Sequence, residues 1–119
     1  MKYINYPHTS LYLEKLIEDR DFLDLREYAE ANNVPIMNVE TKEFIKTILI
    51  SKKPKNILEI GSAIGYSALV FDKYTTADIT TIELDKSTAN KACENFKKYN
   101  ANIKIINDDA QKALNNINQ

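Results

Sequence analysis

The sequence is short of several residue types, and each shortage narrows what the protein can be. Its 119 residues include one cysteine, Cys93, and one histidine, His8. A single cysteine cannot form an intramolecular disulfide, and no Cys or His cluster suggests a zinc site. No run of about 18 apolar residues occurs, and the first residues have no apolar core, so neither a transmembrane span nor a signal peptide is expected. These absences favour a cytoplasmic location.

The chain also lacks an excess of charge of one sign. Sixteen Lys and Arg residues against 17 Asp and Glu residues give a net charge of -1. The Lys and Arg residues are scattered along the sequence. The chain therefore has no basic cluster of the kind that binds nucleic acid independently of base sequence. With 44% hydrophobic and 28% charged residues, the composition predicts a single soluble globular domain.

The first part of the chain has the apolar spacing of helices. Residues 10–19, 21–31 and 41–51 each place apolar side chains along one helical face. In the third helix the apolar face is expected to consist of Phe44, Ile45, Ile48 and Leu49.

After Pro54 short apolar strands alternate with helices. The strands are predicted at residues 56–60, 79–84 and 103–106, and the helices at residues 65–73, 86–99 and 109–117. This alternation is typical of right-handed βαβ crossovers, so the sequence predicts an α/β fold with a parallel sheet.

The two glycines of the chain, Gly61 and Gly65, bracket the turn that follows the first strand. Ligands of open α/β sheets bind at the carboxyl ends of the strands, and a glycine there lets a ligand approach the main chain. Dinucleotide-binding proteins use Gly-x-Gly-x-x-Gly to seat a pyrophosphate, whereas the spacing here is Gly-x-x-x-Gly. The difference favours a nucleoside without phosphates, although a plain strand-to-helix turn would also explain the pattern.

Acidic residues follow the other two strands. Glu83 ends the second strand about 20 positions after Gly61, where a carboxylate can accept hydrogen bonds from both ribose hydroxyls. The alternative is a solvated strand end. Asp85 is predicted to cap the next helix by accepting from a backbone N–H near Thr88. After the third strand, Asp108 or Asp109 could accept from an adenine amino group or could cap the last helix.

The segment Glu59-Ile60-Gly61-Ser62-Ala63-Ile64-Gly65-Tyr66-Ser67 resembles motif I of the catechol-type O-methyltransferases, in which Glu-x-Gly-x-x-x-Gly-Tyr-Ser is characteristic. These class I enzymes use S-adenosylmethionine. Residues 35–39 are similar to the segment that folds over the methionine end of the cofactor in that family. The resemblance covers residues 33–114 and departs at Asp108, where relatives often have glycine.

The resemblance implies a Rossmann-like methyltransferase fold and a set of cofactor contacts. Residues 1–33 would form an N-terminal helical arm, and residues 34–119 the cofactor-binding half of the methyltransferase domain. Met37 and Val39 would cover the cofactor, and Glu83 would hold its ribose. The amino-acid moiety would be surrounded by residues of motif I, namely Glu59, Gly61, Ala63 and Ser67, and Gly65 of the same motif would also belong to the cofactor site. The adenine would be lined by Asp109, Ala110 and Gln111.

The same resemblance implies that the reaction itself needs more than this sequence. In the family the Mg²⁺ ligands and the catalytic lysine come from strands after the third, so we assign no catalytic residue and no metal ligand here. The first strand is central in the complete fold and would be an edge strand in this chain. An apolar edge invites pairing with another chain, so we expect a homo-oligomer or a marginally stable monomer.

The sequence is compatible with several functions. Bacterial members of the family methylate small catechol-like phenols or a hydroxylated uridine of transfer RNA, and the sequence does not choose between these substrates. The chain would then be an enzyme fragment that is inactive alone. An alternative is a non-catalytic module that binds a nucleoside or a partner through its sheet edge. A nicotinamide-dependent oxidoreductase is disfavoured by the glycine spacing.

Overall fold

The computed structural model describes residues 21–117 of the chain. The helix predicted at residues 10–19 and the isolated His8 lie outside this range. The described elements are α1 (Leu23–Ala31), α2 (Val39–Lys52), β1 (Asn56–Ile60), α3 (Tyr66–Tyr74), β2 (Asp78–Glu83), α4 (Lys86–Lys98), β3 (Ile103–Asn107) and α5 (Ala110–Ile117). Every element predicted from residue 21 onward is present, with small shifts at its ends.

The three strands form one parallel sheet in the order β1-β2-β3. The register pairs Ile60 with Ile82 and Glu83 with Asn107, so the carboxyl ends of neighbouring strands lie at one edge of the sheet. Helices α3 and α4 connect successive strands. This arrangement confirms the predicted α/β fold with parallel βαβ units.

One face of the sheet carries the hydrophobic core. Ile79 is buried there, and Ile57, Ile103 and Ile105 pack against the same cluster. The helices that cover this face contribute buried apolar side chains from α1, α3 and α4, namely Leu25, Ala29, Ala68, Leu69, Val70, Ala92 and Phe96. Helix α1 is therefore part of the core that supports the sheet.

The other face of the sheet is less completely covered. Helix α5 packs against β2, and Ile82 and Ala113 are both buried. On the neighbouring β1, which is an edge strand in this sheet, Leu58 is 46% exposed and Ile60 is 61% exposed. The apolar side chains of β1 thus alternate between the core and an open surface.

The predicted apolar face of the third helix is wrong in part. Leu49 is buried, but Phe44 is 66% exposed and Ile48 is 42% exposed. The buried residues of α2 are Val39, Lys42 and Leu49, because the helix packs on α3 along a narrower stripe than its apolar composition indicates. Over residues 21–117, no helix is both long and apolar enough to cross a membrane.

Candidate functional site

The turn after β1 has the backbone conformation that its two glycines allow. Gly61 has φ 87° and Gly65 has φ 93°, and Ala63 between them also has a positive φ of 46°. L-residues avoid this left-handed region, whereas glycine enters it readily. The turn therefore reverses direction sharply between β1 and α3, at the carboxyl edge of the sheet.

The two glycines face different surroundings. A Cβ built on Gly61 would meet no atom of the described residues within 4 Å, so this main chain faces open space. A Cβ built on Gly65 would lie 2.5 Å from Cε1 of Phe96. Gly61 thus leaves room for a ligand beside the backbone, and Gly65 leaves room for an aromatic ring of α4.

Hydrogen bonds from neighbouring elements fix the turn. Gly61 N donates to the carbonyl of Ile82 at 2.7 Å, which joins the start of the turn to β2. Asn95 donates from Nδ2 to the carbonyl of Ile64 at 2.7 Å in a buried contact. Asn95 was not predicted from the sequence. Its signal is a polar residue on the apolar face of α4, beside Ala92 and Phe96.

Glu83 spans the gap between this turn and the start of α4. Its Oε1 accepts from Ala63 N at 3.0 Å, and its Oε2 accepts from Asp85 N at 3.0 Å. The half-buried carboxylate is therefore held against the glycine turn rather than left as a solvated strand end. Each oxygen still has a lone pair that could accept from a ligand hydroxyl.

Asp85 has the capping role predicted for it. Its Oδ2 accepts from Thr88 N at 2.7 Å and from Thr88 Oγ1 at 2.8 Å. The hydrogen bond from the Thr88 backbone holds the pKa of Asp85 below its ordinary value. Two acids near the end of β2 thus have different tasks, since Glu83 contacts the turn and Asp85 caps α4.

Glu59 places a second carboxylate near the turn. Its Oε1 accepts from the hydroxyl of the buried Thr81 at 2.7 Å, and it also has a hydrogen bond with Ser67. Burial raises the pKa of Glu59, and the charge of Glu83 raises it further, against the effect of the two hydroxyl donors. Two carboxylates close enough to influence each other make this edge favourable for a cationic ligand.

The loop after β3 brings the third set of predicted residues to the same edge. Asp109 accepts through Oδ1 from Gln111 N at 2.9 Å and from Lys112 N at 3.3 Å, so it caps α5, which was one of the two predicted roles. Ala110 is half-buried and Gln111 is exposed. Asn107 donates from Nδ2 to the Glu83 carbonyl at 2.8 Å and so links this loop to the end of β2.

Met37 and Val39 lie at the start of α2. Val39 is buried, and Met37 packs against the core cluster. The Met37 carbonyl accepts from Arg26 Nη2, which also donates to the hydroxyl of Tyr66, the residue after Gly65. The segment is therefore joined to the helix that begins at the glycine turn. Arg26 was not predicted from the sequence.

The site has no arrangement that suits a metal ion. Within residues 21–117, no group of three or more His, Cys, Asp or Glu side chains could hold one. The carboxylates at the turn are already engaged by backbone N–H and hydroxyl donors. The described residues therefore offer no ligand set for Mg²⁺.

Comparisons with known proteins agree with this geometry. A profile of the O-methyltransferase family matches residues 8–119. A Staphylococcus aureus protein provisionally named a caffeoyl-CoA O-methyltransferase is 34% identical, with a TM-score of 0.87 over 94% of this chain and 56% of its own. An S-adenosylhomocysteine-bound methyltransferase from Podospora anserina is 25% identical, with a TM-score of 0.78 over 96% of this chain and 55% of its own.

A third solved structure supports the fold alone. The O-methyltransferase from Bacillus cereus in complex with S-adenosylhomocysteine is 21% identical, with a TM-score of 0.82 over 93% of this chain and 54% of its own. The chain thus spans about half the length of these structures. Since the family profile matches nearly the whole sequence and one relative exceeds 30% identity, the chain belongs to the O-methyltransferase family.

Proposed function

We propose that this chain binds S-adenosylmethionine at the carboxyl edge of its sheet. The observation that carries the proposal is the open space beside Gly61, next to two carboxylates and at the end of a strand. S-adenosylmethionine is a cationic nucleoside without phosphates, so it suits a site with acids and without a phosphate-binding glycine pattern. The Podospora anserina relative bound to S-adenosylhomocysteine supports the same choice.

Each residue of the site receives a role in this proposal. Glu83 accepts from the ribose hydroxyls while the turn holds its carboxylate. Met37 and Val39 cover the methionine end. The amino-acid moiety is surrounded by residues of the turn and its flanks, namely Glu59, Gly61, Ala63 and Ser67. The adenine is lined by Asp109, Ala110 and Gln111. Gly65 acts through packing, because Phe96 occupies the space beside it.

The activity that we propose for the complete enzyme is methyl transfer to a hydroxyl group. Bound S-adenosylmethionine supplies an activated methyl group on its sulfur. The residues described here bind and orient the cofactor, and they exclude water from the core side of the turn. We propose a small phenol or a transfer-RNA hydroxyuridine as substrate. Catalytic and Mg²⁺-binding residues would lie outside this chain, which would be inactive alone.

The proposal extends to organisation and location. Residues 1–33 would act as a helical arm on the cofactor-binding half, residues 34–119. We place the protein in the cytoplasm and propose a homo-oligomer, because Leu58 and Ile60 leave an apolar edge on β1. Sedimentation should give a mass above that of the 13.7 kDa chain, and a stable monomer at all concentrations would contradict this part.

Calorimetric titration with S-adenosylhomocysteine tests the proposed function. The parent chain should bind, and Glu83→Gln should weaken binding by about tenfold or more, because a hydrogen bond to a charged group contributes about 1.5–3 kcal/mol. Asp85→Asn is the matched control, since Asp85 lies two residues further along and caps α4. Equal weakening by both substitutions would argue against the ribose role, and no binding by the parent chain would contradict the proposal.

The exposed edge of β1 favours one alternative, a non-catalytic module that binds a nucleoside or a partner chain. Such a module would bind S-adenosylhomocysteine without ever supporting methyl transfer. Adding the C-terminal half of a relative in trans separates the two functions. Methyl transfer that appears only with both pieces would support the enzyme fragment, whereas its absence in a stable complex of the pieces would support the module.

A further inference from the structure

We infer that Arg26 is a positioning residue for the cofactor site, through which helix α1 sets the affinity for S-adenosylmethionine. The inference rests on the proposed function. It concerns the segment of residues 35–39, here named the covering segment, which carries Met37 and Val39. In this inference α1 helps to position the cofactor site, although α1 belongs to the region that the sequence predicts to be a helical arm.

One guanidinium nitrogen of Arg26 joins two separate parts of the site. Nη2 lies 3.3 Å from the Met37 carbonyl oxygen and 2.7 Å from the Tyr66 hydroxyl oxygen. The guanidinium carbon also lies 5.0 Å from the centre of the Tyr66 ring. A residue of α1 therefore contacts the covering segment and the first residue of α3 at the same time.

Both contacts are close to groups that the cofactor would touch. Tyr66 directly follows Gly65 and is 1% exposed, so a movement of its ring would be transmitted to the glycine turn. The Met37 carbonyl belongs to the backbone of a residue proposed to cover the methionine end. Arg26 thus fixes the distance between the cover and the turn, which is the space where the methionine moiety would lie.

Other hydrogen bonds fix the ends of the covering segment, and Arg26 contacts its middle, where Ile36 and Met37 pack against the core. Before the segment, Val34 N donates to the Ala29 carbonyl at 2.9 Å. Near its end, Asn38 Oδ1 accepts from Thr41 N at 2.9 Å and caps α2. Met37 lies between these points. A loss of the Arg26 contact should therefore loosen Met37 without releasing either end.

An arginine suits this position better than a lysine. The guanidinium is planar, presents several donors in a fixed arrangement and stacks on aromatic rings, whereas an ammonium is a compact, strongly hydrated charge. Arg26→Lys keeps the charge but removes the planar group over the Tyr66 ring, and the shorter side chain should not keep both contacts. Tyr66→Phe keeps the ring and removes only the hydroxyl.

The test compares Arg26→Lys, Tyr66→Phe and their double variant with Lys91→Met as control. Lys91 lies 4.6 Å from the ring centre of Tyr28 on α1, so its substitution perturbs α1 without touching the covering segment. Calorimetry with S-adenosylhomocysteine gives the affinity. Hydrogen exchange of the amides from Met37 to Thr41 in the ligand-free proteins gives the local opening of the segment.

Arg26→Lys and Tyr66→Phe should each weaken S-adenosylhomocysteine binding by about three- to tenfold. The double variant should bind as tightly as whichever single variant has the lower affinity, because both substitutions remove the same contact. The amides from Met37 to Thr41 should exchange faster in these variants than in Lys91→Met. If the parent binds and Arg26→Lys binds as tightly as Lys91→Met, the inference alone is overturned. If the parent chain does not bind, the proposed function fails and the inference fails with it.

Discussion

Gly61 and Gly65 lie four positions apart in one turn, and they separate the two sides of the site. Both have a positive φ, so both satisfy the same backbone requirement. The space beside Gly61 is clear of described atoms, while Phe96 fills the space beside Gly65. One glycine therefore faces open space and the other faces the core. A glycine pattern in a sequence can combine a binding requirement with a packing requirement.

The largest effect on stability is expected at the closed side of the turn. Gly65→Ala would bring a Cβ to 2.5 Å from Cε1 of Phe96 and would strain the backbone at φ 93°. We predict a loss of about 3 kcal/mol in the free energy of unfolding, measured by urea denaturation. Combining Gly65→Ala with Phe96→Leu should recover part of the lost free energy of unfolding. An unchanged midpoint would show that Gly65 is not a packing glycine.

A smaller loss of stability is expected at the open side. Gly61→Ala introduces strain at φ 87° but no contact with the described residues, so we predict a loss of about 1 kcal/mol. Its effect on S-adenosylhomocysteine affinity should be larger than that of a surface substitution such as Asn116→Ala. If Gly61→Ala binds S-adenosylhomocysteine with the affinity of the parent chain, Gly61 does not face the ligand and the two glycines do not differ in this respect.

The smallest change in stability, and a gain, is expected for Glu59→Gln. The folded-state pKa of Glu59 is raised above the ordinary value, so its ionised form opposes folding at neutral pH. Glu59→Gln should therefore be more stable than the parent at pH 7. The gain should decline as the pH falls through the raised pKa and vanish below about 4.5, the ordinary glutamate value.

Thermal unfolding of both proteins between pH 4 and 8 measures this difference. Calorimetry should show weaker S-adenosylhomocysteine binding by Glu59→Gln at pH 7, by about tenfold, since the carboxylate is proposed to meet the ammonium group of the cofactor's amino-acid moiety, which S-adenosylhomocysteine also carries. A variant that is less stable at pH 7 than the parent would contradict the burial argument. An unchanged affinity for S-adenosylhomocysteine would show that Glu59 does not contact the cofactor.

The sequence predicted the strands and the order of elements well because local pattern determines them. Short apolar runs that alternate with helices can bury themselves only as βαβ units, and acids lie at the ends of β2 and β3 as predicted. The capping role of Asp85 followed for the same reason, since a cap contacts only the next turn of helix.

Contacts between distant parts of the chain were not predictable from local pattern. Asn95 reaches Ile64, and Arg26 reaches both Met37 and Tyr66, across separations that periodicity does not encode. The exposed Phe44 and Ile48 failed as predicted core residues because apolar composition does not specify which face of α2 finds a partner. The roles of the site residues toward a cofactor likewise depend on a ligand that the sequence pattern only implies.

S-adenosylmethionine is proposed to occupy the open side of the glycine turn. The most direct measurement is the change in backbone amide chemical shifts of the ¹⁵N-labelled chain on addition of S-adenosylhomocysteine. We predict that the largest changes cluster at Gly61 to Ser67, at Glu83 and at Asp109 to Gln111, with small changes around Lys53 and Thr75 at the opposite end of the sheet. Saturable changes confined to that opposite end, with the turn unaffected, would contradict the account.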